Sequence, residues 1–323
     1  MRQDEIKRFN DKGIFLGDSY SAPNIGIPGG ILSQISTEYI ESIFAKRSAV
    51  EVAGSQKKVI NWYDEEYLNP NIEPTGQTTP YGDFSQAKTA GINLNFDKYG
   101  HYRFSTGVTI GNLEELQLAE AKVNAYERQF GAALTSLEIE RNRAGFYGFI
   151  DNSANKFLTY GILNNPFMPS WETAPKAFTA MTYDEVTQFF ATAIAKLTKQ
   201  TGGNIDGNSK IRVALASDKN AYLDGVTSTY GVNVKANLKT NYPNLEFVGA
   251  PELNGAYNNL DGIYFIGESM AGGVPETMFL GYSEIARSEN MVIETKFRKT
   301  EISSGVVGLV LNKPLFVLRY AGI

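Results

Sequence analysis

The clearest pattern along the chain is a stripe of apolar residues recurring at intervals of three and four between residues 113 and 144. Its members are Leu116, Ala119, Val123, Tyr126, Phe130, Ala133 and Leu137. Such spacing lies on one face of an α-helix, and at roughly 1.5 Å per residue this helix would be about 48 Å long. Asn112 with Glu115 is typical of a capping box at its start, and Gly145 is a natural end. The pattern predicts one continuous, unusually long helix.

The residues before this helix alternate with a period of two, which predicts strands. The alternating apolar positions are Ile92, Leu94 and Phe96, then Tyr102 and Phe104, then Val108 and Ile110, and a further strand-like run holds Val59, Trp62 and Tyr63. Residues 69–81 are dense in Pro, Asn, Thr and Gly, which predicts a loop or tip. Residues 50–111 are therefore predicted to form a long hairpin-like excursion with a polar tip.

The two ends of the chain differ in pattern and charge. Residues 1–30 predict an extended arm, and a short amphipathic helix follows at about 32–46. Residues 150–290 predict a compact α/β or α+β region, in which Thr182 and Glu185 begin a capped helix that ends at Gly202 and Gly203. Further elements are predicted as strands at 211–216, 245–248, 263–266 and 277–280, a short helix opened by Ser217, and strands at 291–297, 306–311 and 315–320. Residues 201–290 carry ten acidic and six basic residues, whereas residues 291–323 carry two and five, so we place a domain junction near residue 290.

Composition narrows the chemistry. The chain has 323 residues, 42% of them hydrophobic and 20% charged, as in a globular protein, and its net charge of −5 disfavours nucleic-acid binding as its main feature. The absence of Cys excludes disulfides and thiolate chemistry, and the single histidine, His101, excludes a His-rich metal centre. A polar N-terminus and short apolar runs predict neither a secretion signal nor a membrane span, and hence synthesis in a cytoplasm.

Two segments resemble catalytic or nucleotide-binding motifs only in part. Gly267-Glu268-Ser269-Met270-Ala271 is close to the nucleophile elbow of serine hydrolases, but it ends in Ala, and His101 precedes Ser269 instead of following it. We interpret it as a Gly-rich turn after a strand. Gly26, Gly29 and Gly30 would suggest a phosphate loop, yet no strand precedes them and no Lys-Ser/Thr follows.

The charged candidates are equally sparse. Asp64, Glu65 and Glu66 would suit a divalent cation, but without a second oxygen-rich segment they are interpreted as a solvated charge run. His101 is interpreted as a turn or strand-surface residue among aromatics. Lys296, Arg298, Lys299 and Lys313 are too few for nucleic-acid recognition and are interpreted as charges that pair between subunits. We predict no catalytic, cofactor-binding or metal-ligating residue, and no enzyme.

The order of these parts resembles the major capsid proteins of tailed double-stranded DNA phages. Short sequence segments also resemble those of this family: Gly161-Ile162-Leu163-Asn164-Asn165-Pro166, Ser304-Gly305-Val306-Val307, Asn312-Lys313-Pro314-Leu315 and the final Tyr320-Ala321-Gly322-Ile323. The resemblance implies an α+β fold with these parts: an N-terminal arm and first helix (1–48), an extended E-loop and flanking strands (49–111), a long spine helix and the start of the P-domain (112–159), an A-domain (160–289), and C-terminal strands returning to the P-domain (290–323).

The resemblance also implies a function. The chain would be a structural subunit that self-assembles through pentamers and hexamers into an icosahedral capsid. It would be a component of the virion and would assemble in the cytoplasm of the bacterial host. Its partners would be other copies of itself, a separate scaffolding protein, a portal and a decoration protein. It would enclose DNA without sequence-specific binding, use no cofactor and bind no membrane. Lys88 would suit an isopeptide cross-link, but no partner Asn or activating carboxylate is identifiable. The alternatives are an encapsulin-like shell, which shares the fold, and a serine hydrolase using Ser269.

Overall fold

The computed structural model describes residues 45–81, 83, 86, 88–120, 124–151, 156–229, 231–270 and 272–323. The predicted arm and first helix lie almost wholly outside these residues, as do Gly26, Gly29 and Gly30. In chain order the strands are β1 (Gln56–Lys58), β2 (Glu66–Thr75), β3 (Gly91–Gly100), β4 (Tyr102–Gly111), β5 (Phe149–Asp151), β6 (Lys156–Thr159), β7 (Glu172–Thr173), β8 (Lys210–Ala216), β9 (Leu245–Ala250), β10 (Gly262–Glu268), β11 (Met278–Ser288), β12 (Val292–Ile293), β13 (Phe297–Leu311) and β14 (Val317–Ala321).

The helices lie between these strands. They are α1 (Ala49–Ala53), α2 (Asn112–Glu120), α3 (Ala125–Tyr147), α4 (Tyr183–Gln200), α5 (Ser217–Gly225) and α6 (Val234–Asn241), with short 3-10 turns at Phe178–Ala180, Pro251–Leu253 and Pro314–Phe316. Within the described ranges, no helix combines the length and apolar content needed to cross a membrane.

The first sheet is organised around β13. Strand β4 runs antiparallel to the first part of β13, from Phe297 to Val306. Strand β11 runs antiparallel to the last part of β13, from Ile302 to Leu311. Strand β12 pairs with β13 at Arg298 and Lys299, and β1 runs parallel to β11. Residues 302–311 of β13 are all buried. This strand is therefore the centre of the first sheet.

A bulge in β13 depends on Gly308. Gly281 of β11 pairs with Gly308 and Tyr282 pairs with Val306, so Val307 is an extra residue on β13. Gly308 has a φ of +84°, which favours glycine, and a Cβ there would overlap the carbonyl oxygen of Tyr160. As a result, Val307 and Val310, three residues apart, belong to one apolar cluster.

The second sheet has the order β7-β14-β10-β8-β9. Helix α4 covers one face, where Phe190 and Leu197 pack with Phe265 in the largest apolar cluster. The predicted capping box of Thr182 and Glu185 at the start of α4 is confirmed. The opposite face contributes to a second cluster, which also takes residues from α1, α3 and the first sheet. The two sheets therefore share a core.

The single long helix predicted from the apolar stripe is wrong in its continuity. The described residues form two helices, α2 and α3, because Asn124 has an extended backbone (ψ 98°) and caps α3 by accepting a hydrogen bond from the Glu127 N–H. Gly145 is not the end of α3. The helix continues to Tyr147, and the N–H of Gly148, which has a φ of +65°, donates to the Ala144 carbonyl.

The start of α2 also differs from the prediction. The Asn112 side chain donates to the Thr295 carbonyl oxygen (3.1 Å), and Glu115 forms an ion pair with Arg298 (3.5 Å). Instead, the carboxylate of Glu114 accepts a hydrogen bond from the Gly111 N–H (3.5 Å). The predicted capping residues therefore tie α2 to the β12–β13 connection.

Among the side chains that the structure describes, the apolar stripe faces the core along α3 and not along α2. Ala133 and Leu137 are buried against Val108, Ile110 and Ile302, and Tyr126 and Phe130 are half-buried beside them. Leu116 on α2 is 69% exposed. Ala119 and Val123 lie where the structure describes no side chain.

Sheet membership does not divide the chain at residue 290. Strand β11, predicted within the A-domain, belongs to the first sheet, and β14, predicted to return to the P-domain, belongs to the second. The chain therefore passes between the two sheets after β10 and again after β13. The prediction of a strand at Val59, Trp62 and Tyr63 is also wrong, since residues 59–65 form turns and irregular backbone.

The burial along the stripe gives a graded test. Leu137→Ala should lower the free energy of unfolding of the isolated subunit by about 2–5 kcal/mol, the range for a buried Leu. Phe130→Ala should cost less than full burial would imply because its side chain is only partly buried, and Leu116→Ala should stay within about 0.5 kcal/mol. Urea unfolding followed by circular dichroism measures all three. An equal loss from Leu116→Ala and Leu137→Ala would contradict this packing.

Candidate interaction surface

Strands β2 and β3 form a two-stranded sheet of their own. We call residues 66–100, which comprise both strands and the connection 76–90, the ribbon. Ten antiparallel pairs join them, from Glu66 with Gly100 to Thr75 with Gly91. At roughly 3.3 Å per residue the paired part is about 30 Å long. No other strand in the described part of the chain pairs with it. The ribbon therefore projects with both long edges unpaired.

The two faces of the ribbon differ in chemistry. One face, which we call the apolar face, carries Leu68, Pro70, Ile72, Pro74, Ile92, Leu94 and Phe96. The five large side chains among them are between 46% and 69% exposed. The opposite face carries Asn69, Asn71, Glu73, Asn93, Asn95 and Asp97. A two-stranded ribbon cannot bury its own apolar face, so this surface is incomplete in the single chain.

The prediction of a loop at 69–81 is wrong for its first half, because β2 continues through Pro70 and Pro74 to Thr75. The His101 N–H donates to the Glu65 carbonyl (3.0 Å), which makes the Glu65–His101 pair a hydrogen-bonded one. Even-numbered residues of β2 consequently direct their N–H away from β3. Both prolines occupy such positions, so the ladder loses no hydrogen bond.

The base of the ribbon is held by His101, which lies between β3 and β4. Its Nδ1 is 2.8 Å from the Asp64 carbonyl oxygen, and its Nε2 is 2.7 Å from Ser283 Oγ on β11. A carbonyl oxygen only accepts, so Nδ1 carries the proton and Nε2 accepts from the Ser283 hydroxyl. The prediction of a turn or strand-surface residue among aromatics holds for its place between two strands beside Trp62, but not for a surface position: His101 is 5% exposed, and burial lowers its pKa.

Strand β13 makes this arrangement possible at Gly305. A Cβ at that position would overlap Ser283 Oγ and His101 Nε2 and would press on the Trp62 ring. The backbone of β13 therefore passes directly beneath the imidazole. Arg103 secures the same corner, donating from Nε to the Trp62 carbonyl (2.7 Å) and from Nη2 to the Asp64 carbonyl (2.6 Å).

A second anchor lies at the far end of β13. The hydroxyl of Tyr99, which is 2% exposed, accepts a hydrogen bond from the Leu311 N–H (3.4 Å), and burial raises the pKa of Tyr99 to about 12. Asn69 donates from Nδ2 to Asn312 Oδ1 (3.2 Å). The ribbon is thus fixed at its base while its apolar face stays exposed.

The Ser283–His101 pair has the atoms of a nucleophile and a base but not the geometry. Ser283 is fully buried, and His101 Nδ1 faces a backbone carbonyl where a triad needs a carboxylate. Ser269 lies elsewhere, in the Gly-rich turn after β10, where its carbonyl accepts from Lys313 Nζ (2.6 Å). Both ring nitrogens of His101 have other partners, so the structure does not bring His101 and Ser269 together as base and nucleophile.

The acidic candidates have local roles. Asp64 Oδ2 accepts from the Asn61 N–H (3.1 Å), and Glu66 pairs with Lys98 (3.4 Å). Within the described ranges, no group of three or more acidic or histidine side chains is placed to hold a metal ion.

The basic candidates divide into two groups. Arg298 pairs with Glu115, and Lys313 donates to the carbonyls of Ser269 and Val274, all within one chain. The interpretation as charges that pair between subunits stays a prediction for all four residues. Lys88 donates to the Gln77 side chain across the ribbon tip.

Comparison with known proteins finds one matching family model and several similar structures. The family model described as Pa193 gp26 major capsid protein matches residues 18–322. No curated protein sequence matches the chain. The capsid of Myoviridae phage XM1 is similar in structure, with a TM-score of 0.72, 17% identity, and 92% of this chain and 100% of that chain covered. A chain of Gordonia phage Cozz gives a TM-score of 0.56 at 13% identity, covering 94% and 98%. The capsid of a native GTA particle gives 0.58 at 10%, covering 91% and 96%. At these identities the structures show a shared fold.

The close approach at Gly305 gives a prediction. Gly305→Ala should destabilise the subunit by about 1–3 kcal/mol, since the new methyl group displaces His101 or Ser283 in a closed space. Gly107→Ala on β4 is the matched control, because a Cβ there meets no atom within 4 Å. Thermal unfolding compares the two variants. A wild-type melting temperature for Gly305→Ala would show that the corner at His101 has room to spare.

Proposed function

We propose that the ribbon joins neighbouring subunits of a phage capsid, on the premise that this chain belongs to the Pa193 gp26 major capsid protein family. A protein of this family is a structural component of the virion and not an enzyme, so the function lies in association. The single observation that carries the proposal is the apolar face, whose five large side chains remain exposed on an ordered, anchored element.

The proposal assigns the parts of the capsid fold to the observed elements. The ribbon is the E-loop, α3 is the spine helix, and the first sheet with α3 is the P-domain. The second sheet with α4 is the A-domain, so β11 leaves that domain and β14 joins it. These assignments are supported by the order of the elements and by the similarity in fold to the XM1 capsid.

The partner of the apolar face is another copy of this chain. Fully burying a Leu, Ile or Phe side chain contributes about 1.5–3 kcal/mol, so five half-exposed residues offer enough free energy to drive association. A shell built from one subunit presents mainly copies of that subunit to each exposed face. Interfaces of this kind join different surfaces of the two copies, and the symmetry of the shell closes them.

The finer partners implied by the resemblance belong to the same proposal. They are pentamers and hexamers of this chain, a scaffolding protein, a portal and a decoration protein. A net charge of −5 supports a container that holds DNA without binding it tightly, because a cationic lining would attract phosphates strongly.

A charge on the apolar face tests the proposal directly. Leu94→Lys should leave the subunit as stable as wild type, because Leu94 is 50% exposed there, yet it should abolish shells by placing an unpaired charge in the contact. Asn93→Lys, on the opposite face one residue away, is the matched control and should still give shells. Electron microscopy and sedimentation of the assembled material give the readout. Normal shells from Leu94→Lys would refute the proposal.

Shortening the ribbon gives an independent test. Replacing residues 72–94 with Asn-Gly would close a two-residue hairpin on the Asn71–Asn95 pair, which has the parity of a hydrogen-bonded pair. The anchors at Asn69, Tyr99 and His101 remain. We expect a soluble subunit with a cooperative melt and no closed shells. Closed shells from this variant would show that the distal ribbon is dispensable.

A further inference from the structure

One imidazole connects two parts of the chain at the base of the ribbon. Asp64, which accepts from Nδ1, lies in the segment that leads into β2, and Ser283, which donates to Nε2, lies on β11 of the first sheet. The Nδ1 bond needs only a proton on Nδ1 and is kept in the imidazolium, whereas the Ser283 bond in its present direction requires an unprotonated Nε2. A second proton on Nε2 would face the hydroxyl that now donates to it, and that hydroxyl would have to turn and accept in a space closed by Gly305 and Trp62.

The surroundings of the ring compensate an imidazolium only in part, and burial outweighs them. From β4, Arg103 lies close enough to disfavour a second positive charge. From β11, Arg287 lies over the Trp62 ring, 5.5 Å from its centroid, and the centroids of that ring and the imidazole are 6.2 Å apart with the rings perpendicular. The segment before β2 offers Asp64, whose carbonyl and carboxylate favour the charged ring, although that carboxylate also caps the Asn61 N–H. From β13 the facing residue is Gly305, which carries no charge.

We propose that His101 is an acid-sensitive latch, which holds the base of the ribbon on the first sheet when neutral and releases it when protonated. Release breaks the Ser283 bond and frees the segment at 61–65 to turn away from β11. The ribbon would then change its angle to the first sheet. The latch belongs to the single subunit and does not depend on whether the ribbon joins subunits.

The direction of the pH effect follows from the difference in the pKa of His101 between the latched and the released state. Burial and Arg103 depress the pKa of His101 in the latched state, whereas in the released state it returns towards its ordinary value of about 6.5. The released state therefore binds the proton more tightly. The latch is at full strength above about pH 6.5 and weakens as the pH falls from there towards the depressed pKa.

Hydrogen–deuterium exchange on the full chain tests the latch. After correction for the intrinsic exchange rate, protection of residues 61–65 and 99–101 should fall about tenfold between pH 7.5 and pH 5.5, while β10 stays unchanged. His101→Gln, which keeps a neutral hydrogen-bonding side chain, should show no such pH dependence. Unchanged protection in the wild type, or the same loss in His101→Gln, would overturn the proposal.

A second measurement holds even if His101→Gln fails to fold. The sequence has one histidine, so the imidazole NMR signal reports the titration of His101 alone. Ser283→Ala removes the hydroxyl that stabilises neutral Nε2, and the midpoint should rise. A midpoint that stays at its wild-type value would overturn the latch. The assembly variant Leu94→Lys should keep the wild-type pH dependence, so failure of the latch and failure of the proposed function give different results.

Discussion

The structure depends on a single strand that is closed on both edges and both faces. Strand β13 takes hydrogen bonds from β4 on one side and from β11 and β12 on the other, and its residues 302–311 are all buried. Two glycines let other parts of the chain approach its backbone. Gly305 leaves room for His101 and Ser283, and Gly308 leaves room for the Tyr160 carbonyl, which accepts from the Leu309 N–H (2.8 Å). The corner of the ribbon, the end of α3 and the first sheet therefore meet on one strand.

The shared core extends this constraint to the second sheet. Phe146 on α3, Tyr264 on β10 and Leu309 on β13 belong to one buried cluster, so neither sheet can shift without disturbing the other. An ion pair within the second sheet lies beside this core. Arg212 on β8, which is 3% exposed, pairs with the part-buried Glu268 on β10 and donates to the Val52 carbonyl of α1 (3.3 Å). Such a pair costs desolvation and demands good geometry, so it fixes the guanidinium that binds α1 to the second sheet.

Local signals in the sequence predicted local structure well. The period-two runs at 92–96 and 102–110 became β3 and β4, and the Thr182 capping box became the start of α4. The failures have physical reasons. An apolar stripe shows which residues share a face but not whether the backbone is continuous, and the sequence marks the break only through the capping residue Asn124.

Long-range packing was beyond such signals. Nothing near His101 in the sequence indicates that β11 and β13 will cover it, because Ser283 and Gly305 lie far away along the chain. Sheet membership of β11 and β14 was missed for the same reason, since strand pairing between distant segments leaves no periodic mark. The ribbon itself was foreseen as an excursion, yet its apolar face was hidden, because the prolines of β2 were interpreted as turn residues.

Those two prolines have a consequence for how the protein behaves at high concentration. An exposed strand edge is a template on which further chains can add, and this is a common origin of fibrous aggregates. Pro70 and Pro74 remove two of the outward N–H groups of β2, so its outer edge offers little to an incoming strand. Along its β2 edge the ribbon can therefore be adhesive through its side chains while its main chain offers few donors. A subunit that must accumulate before it assembles gains from this separation, because contacts through a face can end in a closed particle and contacts through an edge can continue without limit.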